Sequence, residues 1–134
     1  MSLPEIEVAL LPETTAFWTG VAAGRMDMPW CGHCDGHVWP PRSHCPRCLA
    51  VVTDAKTLSG EGSVYSFSVV HRGEGAFAKA DPYVLAYVSL DGGPTVMANV
   101  VEIDPSLVTV GMRVGLRPQD VQPGTVGMQF VPLA

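Results

Sequence analysis

Four cysteines, grouped as two C-x-x-C pairs, constrain the fold of this chain more than any other feature. The pairs are Cys31/Cys34 and Cys45/Cys48, with ten residues between them. Each pair can place two thiolates on one metal ion from a single tight turn, and two such turns complete a tetrahedral shell. The pattern therefore predicts a structural site that holds Zn²⁺ and has no open position for catalysis.

Other uses of the four thiols stay open from the sequence alone. Two disulfides are disfavoured if the chain is cytoplasmic, as we expect, because that compartment keeps thiols reduced. Iron in a rubredoxin-like site is compatible with four thiolates, although zinc is preferred. His33, His37 and His44 lie in the same segment and are alternative ligands, but four thiolates already fill the shell.

The expected cytoplasmic location rests on the first 18 residues and on the hydropathy of the chain. The N-terminal segment carries Glu5, Glu7 and Glu13 and no basic residue, whereas a secretory leader begins with a basic region. No stretch approaches the ~20 consecutive apolar residues of a membrane span. A net charge of −5 and a pI near 5.2 disfavour binding to nucleic acid, which requires a basic surface.

Beyond residue 50 the sequence predicts short strands joined by turns. Gly and Pro account for 14 and 12 of the 134 residues, which is typical of a turn-rich β protein. Between residues 63 and 71, Tyr65, Phe67 and Val69 alternate with serines, so these three side chains are predicted to share one side of a half-buried strand. The other predicted strands lie near 83–90, 95–101, 112–117 and 126–130, with a lead-in strand at 51–58. Five or six strands with short connections favour a small closed barrel of the OB type, with an open sandwich as the alternative.

The chain is predicted to have three parts. Residues 1–26 are expected to hold an N-terminal arm and a short helix that begins near Thr14 or Thr15 and ends at Gly24. Residues 27–50 form the predicted metal-binding ribbon, and residues 51–134 form the predicted barrel domain. The fold is therefore expected to be mainly β, with one short helix.

Five short motifs resemble, in type and order, those of the domain-of-unknown-function-35 family. An aromatic pair precedes the first C-x-x-C, a Pro-Pro-Arg segment leads to the second, and a Ser-Gly-x-Gly turn and an Asp-Pro-Tyr strand start follow. These motifs are Phe17-Trp18, Trp39-Pro40-Pro41-Arg42, Cys45-Pro46-Arg47-Cys48, Ser59-Gly60-Glu61-Gly62 and Asp81-Pro82-Tyr83. The resemblance covers the chain from about Phe17 to Val131. It implies a rubredoxin-like zinc ribbon joined to a C-terminal OB-fold.

The same resemblance implies a function. Members of this family act beside thiolases and thiolase-like enzymes in acyl-CoA condensation, acyl transfer and retro-aldol cleavage, including steroid side-chain degradation. By this resemblance the chain is an accessory subunit in lipid metabolism that forms a hetero-oligomer with a thiolase-fold enzyme. It would help to hold acyl-CoA as a shared ligand. A nucleic-acid-binding zinc-ribbon/OB-fold module and a rubredoxin-like electron carrier are the alternatives.

The sequence offers cations for CoA but no catalytic set. Arginine and lysine can contact phosphates, and the candidate CoA-binding residues are Arg42, Arg72, Lys79, Arg113 and Arg117. Candidate contacts with a partner chain are Phe17, Trp18 and Phe77, although Phe17 and Trp18 fit a place in the core equally well. His71 has no paired nucleophile, and no phosphate loop or dinucleotide motif is present, so no residue is assigned a catalytic role.

Overall fold

The structure is a computed structural model that describes residues 3–4, 10–118 and 127–133. Within these ranges the chain forms one α-helix, two 3₁₀ helices and eight strands. Much of the predicted arm at 1–13, and Val126 in the last predicted strand, lie outside the described residues. The elements are α1 (Thr15–Ala22), β1 (Met26–Cys31), β2 (Gly36–His37), β3 (Asp54–Leu58), β4 (Glu61–Val70), a 3₁₀ helix (Gly75–Phe77), β5 (Tyr83–Leu90), β6 (Thr95–Val100), a 3₁₀ helix (Pro105–Leu107), β7 (Arg113–Leu116) and β8 (Gln129–Pro132).

Helix α1 forms where the sequence predicts it. Thr14 precedes the helix, and its hydroxyl accepts a hydrogen bond of 3.0 Å from the Leu11 N–H. Gly24 follows with a φ of 84°, a left-handed conformation that glycine adopts without a steric penalty. Because eight residues are too few for an isolated helix to be stable, the buried side chains of Phe17 and Val21 must hold it to the rest of the protein.

A three-stranded antiparallel sheet in the order β2-β1-β3 joins the ribbon to the segment that follows it. The strand predicted to lead into the barrel, β3, instead pairs with β1 along its whole length, from Met26 opposite Leu58 to Trp30 opposite Asp54. Four of its five residues are exposed, so its polar sequence suits a surface strand and not the wall of a closed barrel. The Thr57 hydroxyl fixes this register by donating a 2.7 Å hydrogen bond to Asp27.

The other five strands close into a barrel in the order β4-β5-β6-β8-β7, with β7 returning to β4. Every pair is antiparallel except β6 with β8. The closed form confirms the predicted OB-type barrel, and the open sandwich is wrong. Closure pairs strands that would otherwise expose a free edge.

One predicted side-chain orientation is wrong. The pairing of β4 with β5 shifts between Val64 and Ser66, so the extra residue, Tyr65, breaks the period of two. Phe67 and Val69 pack against the core as expected, whereas Tyr65 is 65% exposed. The serine-aromatic alternation gave no sign of this bulge because its apolar positions keep a spacing of two in the sequence.

A single hydrophobic core joins the helix, β1 and the barrel. Phe17 and Val21 from the helix and Met26 and Met28 from β1 share it with the barrel side chains. The fully buried barrel members are Val64, Val84, Val88, Val96, Val114 and Phe130. Burial of each such side chain contributes ~1.5–3 kcal/mol. The first strand of the ribbon is thereby anchored to the barrel.

Candidate functional site

The two C-x-x-C pairs lie on two tight turns that face each other. The first turn connects β1 to β2, and its Cys34 N–H donates to the Cys31 sulfur at 3.4 Å. In the second turn, the Leu49 N–H donates to the Cys45 carbonyl, and the Cys45 N–H donates to the Ala50 carbonyl, both at 2.8 Å. These backbone bonds hold each pair of sulfurs on one side of its turn.

The residue after each second cysteine has a left-handed backbone. Asp35 has a φ of 57° and Leu49 a φ of 67°. Glycine is the residue best suited to this conformation, and neither turn has one at that position. Leu49 is also 74% exposed, so no burial of its side chain compensates for the strained backbone.

The sulfur geometry fits one metal ion. All four Sγ atoms lie within 4.8 Å of one another. The Sγ atoms of Cys31 and Cys48 are 3.6 Å apart, and those of Cys45 and Cys34 are 3.8 Å apart. A tetrahedron with Zn–S bonds of ~2.3 Å has S–S edges of about 3.8 Å. A disulfide would require about 2.05 Å, and all four cysteines are free. The cluster can therefore hold a metal ion, as predicted.

Two of the thiols differ in acidity because they share hydrogen bonds. Burial of Cys45 opposes its ionisation, but the backbone N–H groups of Cys48 and Arg47 and the neighbouring thiols outweigh burial and lower its pKa to about 6. The Ala50 N–H favours the Cys48 thiolate, but the Cys34 sulfur, burial and the other two sulfurs oppose it and raise the pKa of Cys48 to about 12. A cation among the sulfurs would favour all four thiolates at once.

The histidines near the cysteines do not join the cluster. Within the described residues, the group that could hold a metal consists of the four cysteines. His33 and His44 are exposed, and the His44 ring bonds the Ser43 hydroxyl at 3.1 Å. His37 turns away from the sulfurs and contacts the barrel. The expectation that thiolates alone fill the shell agrees with this arrangement.

His37 connects the ribbon to the turn between β5 and β6. Its Nε2 lies 2.7 Å from the Gly92 carbonyl oxygen. Since a carbonyl can only accept, Nε2 carries the proton and donates it, and the buried Nδ1 has no hydrogen-bond partner. The Trp30 ring meets the His37 ring edge to face at 4.8 Å. Sequence reasoning missed this connection because 55 residues separate its ends.

The residues predicted to contact a partner chain lie in two places. Phe17 is 2% exposed and packs in the core, with Trp18 and Trp39 rings 5.3 and 5.2 Å from its own. Trp18 is only partly buried. Phe77 lies in the 3₁₀ helix of the loop between β4 and β5, where its ring is 5.0 Å from that of Tyr83.

Two of the five candidate CoA-binding cations are already paired. Arg113 forms a two-pronged ion pair with Asp91, with one of its bonds at 2.9 Å, and lies 3.8 Å from Glu61. The Asp91 hydrogen bonds are the main reason that the pKa of Arg113 is raised. Arg117 lies 3.6 Å from Glu102 and 3.3 Å from the Gln129 side chain. An anionic ligand would have to compete with these acidic groups.

Arg42 lies in an acidic cleft. This depression of about 690 Å³ separates the helix from the ribbon, and its lining also includes Glu13, Asp27 and Asp54. A CoA phosphate at Arg42 would therefore share this cleft with three carboxylates.

Arg72 and Lys79 belong to the loop between β4 and β5, and both are exposed. This loop begins and ends beside an open cleft of about 800 Å³ at one end of the barrel. His71 and Pro82, which bracket the loop, both line the cleft. The remaining lining residues are Val69, Glu102, Ile103, Asp104, Pro105 and Ser106. The sequence marked 104–106 as a connection but gave no sign that it forms a cleft wall.

No helix in the described part of the chain has the length and hydropathy of a membrane span.

Comparisons with known proteins identify relatives of both the barrel and the ribbon. A family model described as the C-terminal OB-fold domain of ChsH2 matches residues 55–119. A protein of Methanocaldococcus jannaschii, named a DUF35 domain-containing scaffold protein, is 36% identical over 85 residues, which are 63% of this chain and 60% of that protein. The probable enoyl-CoA hydratase alpha subunit of Thermomonospora curvata is 36% identical over 103 residues, 75% of this chain and 32% of that protein. The chain thus spans about three fifths of the length of the first relative and about one third of the length of the second.

A solved structure covers more of the chain. A chain of the structure named Ltp2-ChsH2(DUF35) aldolase superposes with a TM-score of 0.78 and 28% sequence identity. The match includes 92% of this chain and 97% of that chain, so it extends well beyond residues 55–119, which the family model matches.

Proposed function

Because the chain belongs to the DUF35 family, we propose that it is a non-catalytic accessory subunit of a thiolase-like acyl-CoA enzyme. In this proposal the two proteins form a hetero-oligomer, and this subunit helps to hold the CoA thioester during acyl transfer, condensation or retro-aldol cleavage. The observation that carries the proposal is the match over 92% of the chain to a component of an Ltp2-ChsH2(DUF35) aldolase. The relative named as a CoA hydratase subunit gives independent support.

The chemistry of the described residues agrees with an accessory role. The four thiols form one closed cluster, which leaves no open metal position. His71 lines the barrel-end cleft, but no nucleophile among the described residues is hydrogen-bonded to it. We propose Zn²⁺ as the ion, because four thiolates in a tetrahedral arrangement suit it. The zinc would be structural and would fix the two ribbon turns.

We propose the barrel-end cleft as the site for the pantetheine arm of CoA. Its volume of about 800 Å³ is within the usual range of ligand sites. Val69, Ile103 and Pro105 give its walls apolar surface for the uncharged pantetheine arm, and the carboxylates of Glu102 and Asp104 in the same lining exclude the phosphates from the cleft itself. Arg72 and Lys79 lie on the adjoining loop and have no ion pair within the described residues, so they are available to the CoA phosphates. Arg42, Arg113 and Arg117 are less suited, since carboxylates surround or pair them.

The proposal is tested by isolating the tagged chain from its own host without chelators and identifying retained proteins by mass spectrometry. We expect an acyl-CoA enzyme in near-stoichiometric amount. Retention of no such enzyme, with the metal still bound, would refute the accessory role. Retention of nucleic acid instead would favour the alternative of a nucleic-acid module, and a visible absorption band would favour an electron carrier.

The CoA site is tested on the purified complex by calorimetric titration with CoA. Replacing both Arg72 and Lys79 with alanine should weaken binding about 100-fold or more, because charge-assisted contacts to phosphate contribute ~1.5–3 kcal/mol each and ~1.4 kcal/mol corresponds to a factor of ten. Lys56→Ala is the matched control. Lys56 stacks on the Trp30 ring in the ribbon, away from the barrel-end cleft. Equal affinities for the double variant and the control would contradict this site.

A further inference from the structure

Apart from Glu61 at the start of β4, the outward positions of three neighbouring barrel strands carry no charged residue. From residue 63 onward, the inward positions of β4, β5 and β6 fill the core, and the alternate positions point outward. We call the outward set the uncharged face. It consists of Ser63, Tyr65, Ser66, Ser68, Val70, Tyr83, Leu85, Tyr87, Ser89, Thr95, Met97 and Asn99. Charges begin at its rim, where Glu61 and Asp91 flank Arg113.

A row of large apolar side chains crosses the middle of this face. Tyr87 on β5 lies directly opposite Met97 on β6. On the β4 side of Tyr87, the bulge places Tyr65 next to it. These three residues are 48%, 50% and 65% exposed, and Leu85 in the next row is 38% exposed. The centres of protein interfaces are enriched in tyrosine and methionine and depleted of charge, which is the composition seen here.

The face is too small to hold two copies of this chain together. Three strands ~4.8 Å apart and eight residues of ~3.4 Å each give an area of about 400 Å², whereas a stable interface buries about 800 Å² on each partner. Two copies would also bring together proteins that each carry a net charge of −5. The like charges favour a different protein as the occupant, and that protein must also cover surface beyond the face.

The face is continuous with the loop that borders the barrel-end cleft. Tyr83 is its first residue on β5, and the Phe77 ring packs 5.0 Å from the Tyr83 ring. A protein seated on the row of Tyr65, Tyr87 and Met97 could extend over Phe77 to the mouth of the cleft. Strand addition is not available at the middle strand of the face, because β5 is paired with β4 on one side and with β6 on the other.

We propose that the uncharged face is the docking surface for the acyl-CoA enzyme, which presents a matching uncharged, apolar surface to it. This inference rests on the proposed function, since it takes the occupant from there. Docking at this place would bring the partner to the cleft in which we place the pantetheine arm, so that the ligand lies between the two proteins.

The test compares two substitutions on the complex formed with the enzyme that co-purifies with the wild-type chain. Tyr87→Lys places a charge at the centre of the face and should weaken binding about 10-fold or more. Leu107→Lys is the control, because Leu107 is 63% exposed and lies in the 3₁₀ helix outside the face. Both side chains are exposed, and unfolding temperature and metal content should stay close to those of the wild type.

Methionine oxidation gives a second readout without a substitution. In the free chain, peroxide should oxidise Met97, whereas Met26 and Met28 are 0% exposed and act as internal controls. In the complex, Met97 should become protected, and its oxidation rate should fall several-fold.

The outcomes separate this inference from the proposed function. If the wild-type chain retains no acyl-CoA enzyme, both proposals fail. If the enzyme is retained but Tyr87→Lys binds as tightly as Leu107→Lys, or Met97 stays reactive in the complex, the accessory role stands and this docking surface is wrong. A wild-type dimer that Tyr87→Lys dissociates would assign the face to a second copy and overturn the inference.

Discussion

Loss of the metal should unfold the ribbon turns and leave the barrel intact. The cluster that the ribbon buries by itself contains Cys31, Val38 and Cys45, with a few half-buried neighbours. Burial of Val38 contributes ~1.5–3 kcal/mol, whereas structural zinc sites contribute ~10–16 kcal/mol in small zinc-finger peptides. Hydrophobic burial is therefore several times too small to replace the metal. β1, in contrast, is held through Met26 and Met28 in the main core.

The perturbation is Cys31→Ser, which removes one of the four thiolates from a residue that is 2% exposed. Amide hydrogen exchange followed by mass spectrometry should show lost protection in residues 31–50 and retained protection in β4, β5 and β6. Metal content should fall in parallel, and binding to the partner enzyme should fall if the ribbon helps to form that interface. Wild-type protein treated with a chelator should show the same pattern, and added Zn²⁺ should reverse it.

Unchanged protection of residues 31–50 in the metal-free protein would refute this reasoning. It would mean that the turns are held by their backbone hydrogen bonds and their contacts with the barrel. A variant that loses the metal but binds its partner normally would show that the ribbon is dispensable for docking.

Three further predictions concern the stability of the fold. His37→Ala should destabilise the protein by ~0.5–1.5 kcal/mol in urea unfolding through loss of the hydrogen bond to the β5–β6 turn, whereas His33→Ala, at an exposed residue, should change little. Met26→Ala should cost ~2–5 kcal/mol in the same assay, because it leaves a cavity at a side chain that is 0% exposed; a loss below ~1 kcal/mol would contradict that packing. Hydrogen bonds from Arg113 lower the pKa of Asp91 below its ordinary 3.8, so Asp91 adds stability above pH 3.8 that disappears as pH falls through the lowered value. In Asp91→Asn, unfolding measured between pH 2 and 5 should lose part of this pH dependence.

The sequence was most informative where the determinants are local. The spacing of the cysteines predicts their cluster because each C-x-x-C lies within one turn. Helix α1 was predictable for the same reason, since its flanking residues, Thr14 and Gly24, are also its neighbours in sequence. Alternation of apolar residues predicted strands such as β4 and β7, because a closed barrel has one buried and one exposed side throughout.

The sequence was least informative about which strands meet. The residues of β3 alternate too weakly to show that β1 is its partner, and only the folded chain reveals that pairing. The pairing of Arg113 with Asp91 joins residues 22 positions apart, across the end of the barrel. It removes from the candidate CoA site a cation that the sequence could only count as available.

The distant contacts also connect the cysteine cluster, which can hold a metal ion, to the proposed docking surface on the barrel. A metal ion in the cysteine cluster would order the turns on either side of β2, and β2 contains His37, which binds the Gly92 carbonyl. Gly92 lies in the turn between β5 and β6, and both strands contribute to the uncharged face. Arg47, from the second cysteine turn, supports the same residue by donating to the His37 carbonyl at 3.0 Å. Loss of the metal should therefore weaken one support of the β5–β6 turn while the core residues of those strands stay packed. We expect docking to weaken less in Cys31→Ser than in Tyr87→Lys if the partner contacts the barrel alone, and comparably if it also contacts the ribbon.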